Sequence, residues 1–209
     1  MKKIIWSFLN FLGIGPWLQL AIKSELKENG WSKSFIHKKS IDKNGNPIPW
    51  LTYSFLDFIQ PRLNKNFVMF EYGCGNSTLW FASFVQHIDS VEHEKNWFDL
   101  IKNQVPKNVQ LMFKELQSVD YEKSILSTQN YYDIVLIDGR KRLECIKFAI
   151  QKLKEDGILI LDNSECYPEI FEFMNSHGFK EIGFSGIPPI VPLKTTTSVF
   201  YKNENVLKI

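Results

Sequence analysis

The chain has too few cysteines for a disulfide framework and none of them paired. Cys74, Cys145 and Cys166 make an odd number with no C-x-x-C spacing, which argues against a cysteine-stapled scaffold and favours a reducing, cytoplasmic compartment. Histidines are also scarce: the four present are too far apart or wrongly spaced for a zinc site. Charge of one sign is lacking too. The 25 Lys and Arg stand against 23 Asp and Glu, a net of +2, and that balance gives no electrostatic case for a nucleic-acid partner. There is no internal repeat and no low-complexity tract. What remains is an ordinary globular composition, 44% hydrophobic over 209 residues, enough for one α/β domain and a short extra segment.

Charge is missing in one place for a different reason. From Ile4 to Ile22 no residue is ionisable, a length that just reaches across a bilayer. Asn10, Gly13, Gly15-Pro16 and Gln19 interrupt it, and Gln19 stands where cleavage after Ala21 would need a small residue. The pattern predicts a short helix, a break over Gly13 to Pro16, and a second helix through Leu26, both packed on the main domain. The competing expectation is peripheral membrane contact through residues 4–22. Residues 27–49 read as a polar connector ending in the turn-rich "DKNGNPIP". The chain thus divides into a helical extension and connector over 1–48 and a main domain over 49–209.

In the main domain apolar runs alternate with helical periodicity. "FVMFEYG", "HIDSVEHE", "NVQLMFKE", "YYDIVLIDG" and "DGILILDN" read as strands. Helices are expected before Pro61, at "STLWFASFV", at "NWFDLIKNQV", at "ECIKFAIQKL" with Ile146, Ala149, Ile150 and Leu153 on one face, and at "PEIFEFMNSHG". "FKEIGFSG" and "TTTSVFYK" close the chain with no helix between them. The expectation is a mostly parallel seven-stranded sheet, Rossmann-like, with helices on both faces and an antiparallel last strand.

The first strand ends in "FEYGCGNST", a glycine turn that opens a helix. Such a turn lets a backbone approach a ligand closely, but it is equally a tight turn with Ser77 or Thr78 as helix cap. The pattern is not G-x-G-x-x-G, and Glu71 beside the turn would repel phosphate and favour a cation. One strand-helix-strand unit later, Glu92 in "SVEHE" is placed to take both hydroxyls of a ribose, with His93 and Glu94 as near competitors. Turn and acid together indicate a nucleoside ligand without requiring phosphates, and S-adenosylmethionine fits.

From about Pro49 to Lys202 the chain resembles class I S-adenosylmethionine-dependent methyltransferases, on "FEYGCGNS", "SVEHE", "YDIVLIDGR", "DGILILDN" and the closing hairpin. The resemblance implies cofactor contacts from Glu71, Gly73, Gly75, Asn76, Ser77, Glu92 and Asp138, and methyl transfer to oxygen of a small molecule or sugar. The rival readings are a non-catalytic binding or assembly protein and a nicotinamide-dependent oxidoreductase.

Asp138, Asp162 and Asn163 end adjacent strands, and two carboxylates with an amide oxygen suit a hard divalent cation. This resembles metal-dependent catechol-type O-methyltransferases, where such a set binds magnesium, and macrolide-sugar methyltransferases share the pattern. Lys141 falls where the catechol enzymes carry a lysine proposed as general base, so the resemblance implies catalytic roles for Asp138 and Lys141. The competing readings are strand-end turn residues, a metal-free Asp138 that orients the cofactor, and a solvated Arg140-Lys141-Arg142 run or anchor for an anionic substrate. Trp50, Thr52 and Tyr53 either roof the cofactor or pack a helix. The proline-rich loop before "TTTS" is a place to shape a pocket.

Overall fold

Along Val68–Tyr72 (β1), side chains alternate between two buried clusters: Met69 joins one, Phe70 and Tyr72 the other. That two-residue period is what a strand buried on both faces requires. A computed structural model describes residues 2–209. Among these, β1 pairs in parallel with His87–Glu92 (β2) and Tyr132–Ile137 (β4). Val109–Phe113 (β3) extends one side and Leu153–Leu161 (β5) the other, again parallel. Thr195–Tyr201 (β7) then inserts between β5 and Lys180–Gly186 (β6), antiparallel to both. The resulting seven-stranded order, β3-β2-β1-β4-β5-β7-β6, is the expected mostly parallel sheet with an antiparallel closing strand.

The helices are Lys2–Phe11 (α1), Gly15–Ile22 (α2), Glu25–Glu28 (α3), Trp31–His37 (α4), Tyr53–Ile59 (α5), Asn76–Ala82 (α6), Lys95–Ile101 (α7), Arg142–Ala149 (α8) and Pro168–Ser176 (α9). Phe55 and Ile59 of α5 and Phe81 of α6 cover one face of the sheet over Met69, Ile134 and Ile158. On the other face Ile146 of α8 and Ile170 and Met174 of α9 pack over Phe70, Val135 and Leu159. Burying two continuous faces this way supplies the main driving force for folding, on the order of 25 cal/mol per Å² of apolar surface.

Three local expectations change. The supposed connector contains α4, which is held to the following loop by Ser34: its hydroxyl donates to Ile41 O at 2.6 Å and accepts from Ile41 N at 3.1 Å. Leu153 belongs to β5, because α8 stops at Ala149 and Tyr132 of β4 pairs with Leu153. The second helix ends at Ile22, since Ser24 caps a new turn by accepting from Lys27 N at 3.2 Å.

The first two helices also depart from the expected packing on the main domain. Gly13 closes α1 at φ +70, with Gly13 N bonded to Asn10 O and Ile14 N to Leu9 O, a Schellman arrangement. The chain then turns, so that Lys3–Phe11 and Gly15–Glu28 meet at 118°. No residue of 4–22 joins either core cluster, and Ile4, Phe8, Phe11 and Trp17 stand exposed. Packing on the core begins only with Leu26 and Trp31.

Candidate active site

Because β1, β2, β4 and β5 are parallel, their carboxyl ends share one edge of the sheet, and Gly73, Glu92, Asp138 and Asp162 gather there. The two turn glycines have different reasons to be small. Gly73 has φ +90, and a Cβ on it would lie 3.0 Å from Gly139 Cα, so the crossing of the β1 and β4 ends requires it. Gly75 is extended, and a Cβ there would meet only Trp97 at an ordinary 3.6 Å. The fold does not require that glycine.

Glu71 shares the Met69 side of β1, the side on which α6 packs. Its register partner on β2 is Ser90. Ser77 Oγ donates to Glu71 Oε1 at 2.5 Å, Ser90 Oγ to Oε2 at 3.0 Å, and Thr78 Oγ1 also donates to Oε2. Thr78 in turn accepts from Gly75 N at 2.9 Å. Burial raises the Glu71 carboxyl to about 7 against the pull of these hydroxyls, with the Glu92 charge adding to the rise. Glu71, expected among the cofactor contacts, lies beneath the turn and does not line the cavity above it. It fixes the turn to the start of α6.

That cavity measures ≈ 590 Å³. Its floor is Gly73, Cys74, Gly75, Asn76 and Ser77 from the turn, Glu92 from the end of β2, and Asp138 with Gly139 from the end of β4. Glu92 is held by three backbone amides: His93 N at 2.7 Å and Glu94 N at 2.8 Å on Oε1, Cys74 N at 3.2 Å on Oε2. Trp97 forms a wall and donates its indole N–H to Cys74 O at 2.7 Å. Of the three residues expected to roof a cofactor or pack, Trp50 lines the cavity. Thr52 is buried and bonded to Phe184 O at 2.9 Å, and Tyr53 is buried in the core.

The metal expectation fails on what occupies its place. Arg142, buried at the start of α8, puts Nη2 3.4 Å from Asp138 Oδ1 and 3.2 Å from Asn163 Oδ1, and Nη1 on the carbonyl of Asp162. The Asp162 carboxylate accepts from Thr197 Oγ1 at 2.8 Å. Among the described residues no group of three His, Cys, Asp or Glu is placed to hold a metal. A guanidinium therefore does the charge balancing that magnesium was expected to do, and the set Asp138, Asp162, Asn163 does not fit a magnesium ion. Burial and the neighbouring Asp162 push the Asp138 carboxyl well above the usual range, with Arg142 drawing it back; burial raises Asp162 to about 6.

Lys141 is displaced from its expected role as well. It stands at φ +51, turned away from the cavity, with Nζ 3.1 and 3.2 Å from the two oxygens of buried Glu122. The run Arg140-Lys141-Arg142 thus divides: Arg140 faces the cavity, Lys141 turns to Glu122, and Arg142 reaches Asp138 and Asn163 at the cavity's edge. Cys74 and Cys145 are buried thiols with raised pKa values, small packed residues rather than nucleophiles.

Sequence reasoning missed two walls of the cavity, Trp97 with its neighbours on α7 and the segment after α4. Lys38, Lys39 and Ser40 form the second, and Asn76 Nδ2 donates to Ser40 O at 2.6 Å. Trp31 Nε1 donates to Val191 O at 3.2 Å and so ties this segment to the proline-rich loop, whose Ile190 also faces the cavity. The pocket-shaping expectation for that loop found its residue in Ile190. For Lys38–Ser40 the sequence offered no comparable signal.

No protein-family model matches the chain, and no curated protein sequence matches it significantly. Solved structures do. The O-methyltransferase TomG from Streptomyces achromogenes, in complex with SAM, is 14% identical over 91% of this chain and 96% of its own, with a TM-score of 0.58. Precorrin-6y C5,15-methyltransferase from Geobacter metallireducens is 18% identical over 71% and 87%, TM-score 0.56. An rRNA methylase from Streptococcus thermophilus is 13% identical over 70% and 93%, TM-score 0.52. The fold is that of the class I S-adenosylmethionine-dependent methyltransferases.

Proposed function

We propose that this protein is an S-adenosylmethionine-dependent methyltransferase acting on an oxygen of a small molecule or sugar. The observation that carries the reading is the convergence of the Gly73–Gly75 turn, Glu92 and Asp138 on one cavity of ≈ 590 Å³. In support, a glycine the fold does not need, Gly75, faces that cavity, as expected where a ligand needs the space. Bound S-adenosylmethionine would supply an electrophilic methyl on a sulfonium. Glu92 would accept from the ribose hydroxyls, its carboxylate pre-set by the three amides on it. Gly73, Gly75, Asn76 and Ser77 would offer backbone and short side chains to the rest of the nucleoside, with Trp97 as an apolar wall.

Asp138 is the group we place at the chemistry. A carboxylate whose pKa is raised by burial holds an acceptor's proton better than an ordinary one. Arg142 fixes its orientation from below. Trp50 and Ile190 give the same cavity apolar faces that suit a ring. The extent of the likeness to TomG, over most of both chains, supports an oxygen acceptor.

Calorimetry with S-adenosylhomocysteine tests the cofactor half, with Gly75→Ala as the variant that leaves the fold alone. Binding by the natural chain, weakened about tenfold or more in the variant, is the expected result. Binding of a nicotinamide dinucleotide instead would establish the oxidoreductase alternative. Binding without turnover across a screen of phenols, sugars and RNA would favour the non-catalytic one.

A further inference from the structure

We infer that α1 and α2 form an in-plane anchor that binds the surface of an anionic lipid bilayer. Most of their apolar side chains face solvent: Phe11 is 86% exposed, Ile4 74% and Trp17 72%, and Ile5, Phe8, Leu20 and Ile22 are also exposed. Scattered single residues of this kind are normal on a soluble surface. A continuous uncharged stretch of them, contributing nothing to either core cluster, is not.

Charge identifies what covers the stretch. Residues 1–40 hold seven lysines (Lys2, Lys3, Lys23, Lys27, Lys33, Lys38, Lys39) against Glu25 and Glu28, a surplus of +5 where the whole chain has +2. The other residues are therefore net −3, so the positive charge is concentrated in this segment, with Lys2, Lys3, Lys23 and Lys27 in or next to α1–α3. An anionic headgroup layer over an apolar interior matches that pairing of lysines with Phe, Trp, Ile and Leu. A second copy of the chain would instead have to bring two positive segments together.

The two helices together have the length and composition of a broken span, and it is their bend that favours lying on the membrane over crossing it. Among the described residues no single helix is long and apolar enough to cross, and the α1–α2 bend is 118°. A helix of ten residues spans about 15 Å, roughly half the hydrocarbon thickness. Lysines flank the uncharged run at both ends, Lys2-Lys3 and Lys23, so an in-plane hairpin leaves both ends among the headgroups. The Schellman closure at Gly13 satisfies the backbone through the turn.

The test is flotation of the full chain with vesicles of phosphatidylcholine alone and of phosphatidylcholine with phosphatidylglycerol. The chain is expected to float with the anionic vesicles, less so as salt rises. The double variant Phe8→Glu, Trp17→Glu should lower the vesicle-bound fraction about tenfold or more. Its thermal unfolding and S-adenosylhomocysteine binding should stay unchanged, since neither residue touches a core cluster. A chain that remains unbound with both vesicle types overturns the inference. So does a concentration-dependent dimer in sedimentation that the double variant dissociates, because a second copy would then cover these helices.

Discussion

Arg142 Nη2 stands 3.4 Å from Asp138 Oδ1, a side-chain pair four residues apart that bridges the end of β4 and the start of α8. With its other contacts on Asp162 O and Gly139 O, the guanidinium holds together the strand ends that a divalent cation was expected to join. Wild-type binding of S-adenosylhomocysteine is therefore expected to be the same with excess EDTA and with excess magnesium. A chelator-sensitive affinity would contradict this arrangement. Arg142→Met should destabilise the fold by about 1–3 kcal/mol, the usual cost of leaving the Asp162 and Gly139 carbonyls without their buried donor, measured by urea unfolding.

The two catalytic expectations separate by mutation. Asp138→Asn keeps the shape of the side chain and removes its ability to take a proton, so turnover with an identified acceptor should fall about 10²-fold or more. Lys141→Ala should leave turnover within a few-fold, because its ammonium is spent on Glu122 outside the cavity. Its effect should appear in stability, at about 1–3 kcal/mol, from the buried carboxylate left behind. If Lys141→Ala abolishes turnover while the fold is intact, the lysine reaches the acceptor after all.

Gly73 and Gly75 should respond in opposite ways to the same added methyl. Gly73→Ala forces a left-handed residue against the Gly139 backbone and should lower stability by about 1–3 kcal/mol. Gly75→Ala should shift the melting temperature little and weaken S-adenosylhomocysteine. Equal stability losses at both positions would mean that Gly75, too, serves the fold.

Stability should depend on pH through Glu71. Folding raises its carboxyl from 4.5 to about 7, so the native state holds the proton more tightly than the unfolded chain. The resulting stabilisation is full below about pH 4.5 and is lost as pH rises through about 7, an effect of at most ~3 kcal/mol. Glu71→Gln removes this titration. Unfolding of both proteins at about pH 5 and about pH 8 should favour the variant more at the higher pH. Parallel pH profiles would place the Glu71 pKa near its ordinary value.

Much of the architecture was legible because β1, β4 and β5 are apolar runs closed by glycine or an acid, as in "VLIDG". The missing helix between "FKEIGFSG" and "TTTSVFYK" even revealed the antiparallel end of the sheet. The start of β5 was not legible: Leu153 continues the helical spacing of Ile146 and Ala149, and only pairing with Tyr132 makes it a strand residue. α4 was hidden for another reason. Its seven residues, "WSKSFIH", offer only the stacked Trp31–Phe35 pair as a helical signal, and it is held by Ser34 and Trp31, whose partners lie beyond the helix.

At the site, residue types were readable and directions were not. Three adjacent cations look alike in a sequence, yet Arg140 lines the cavity, Lys141 pairs with Glu122, and Arg142 reaches the cavity's edge from a buried position between strand ends. A usable signal was present in the four-residue spacing of Asp138 and Arg142, which suits an ion pair across a helix start. Glu71 was noticed for its charge. Which side of β1 it faces follows from counting outward from Met69, and that side is α6's.

The bond from Asn76 to Ser40 makes the rim of the cavity part of a load path. From α4 onward the chain is pinned at Trp31, at Ser34 and at Ser40, and the last of these pins is held by Asn76, the residue that opens α6. Tension applied near the beginning of the chain would therefore be felt at the ligand's doorway before it reached the sheet. A truncated chain starting at residue 49 would keep its strands and lose that doorpost.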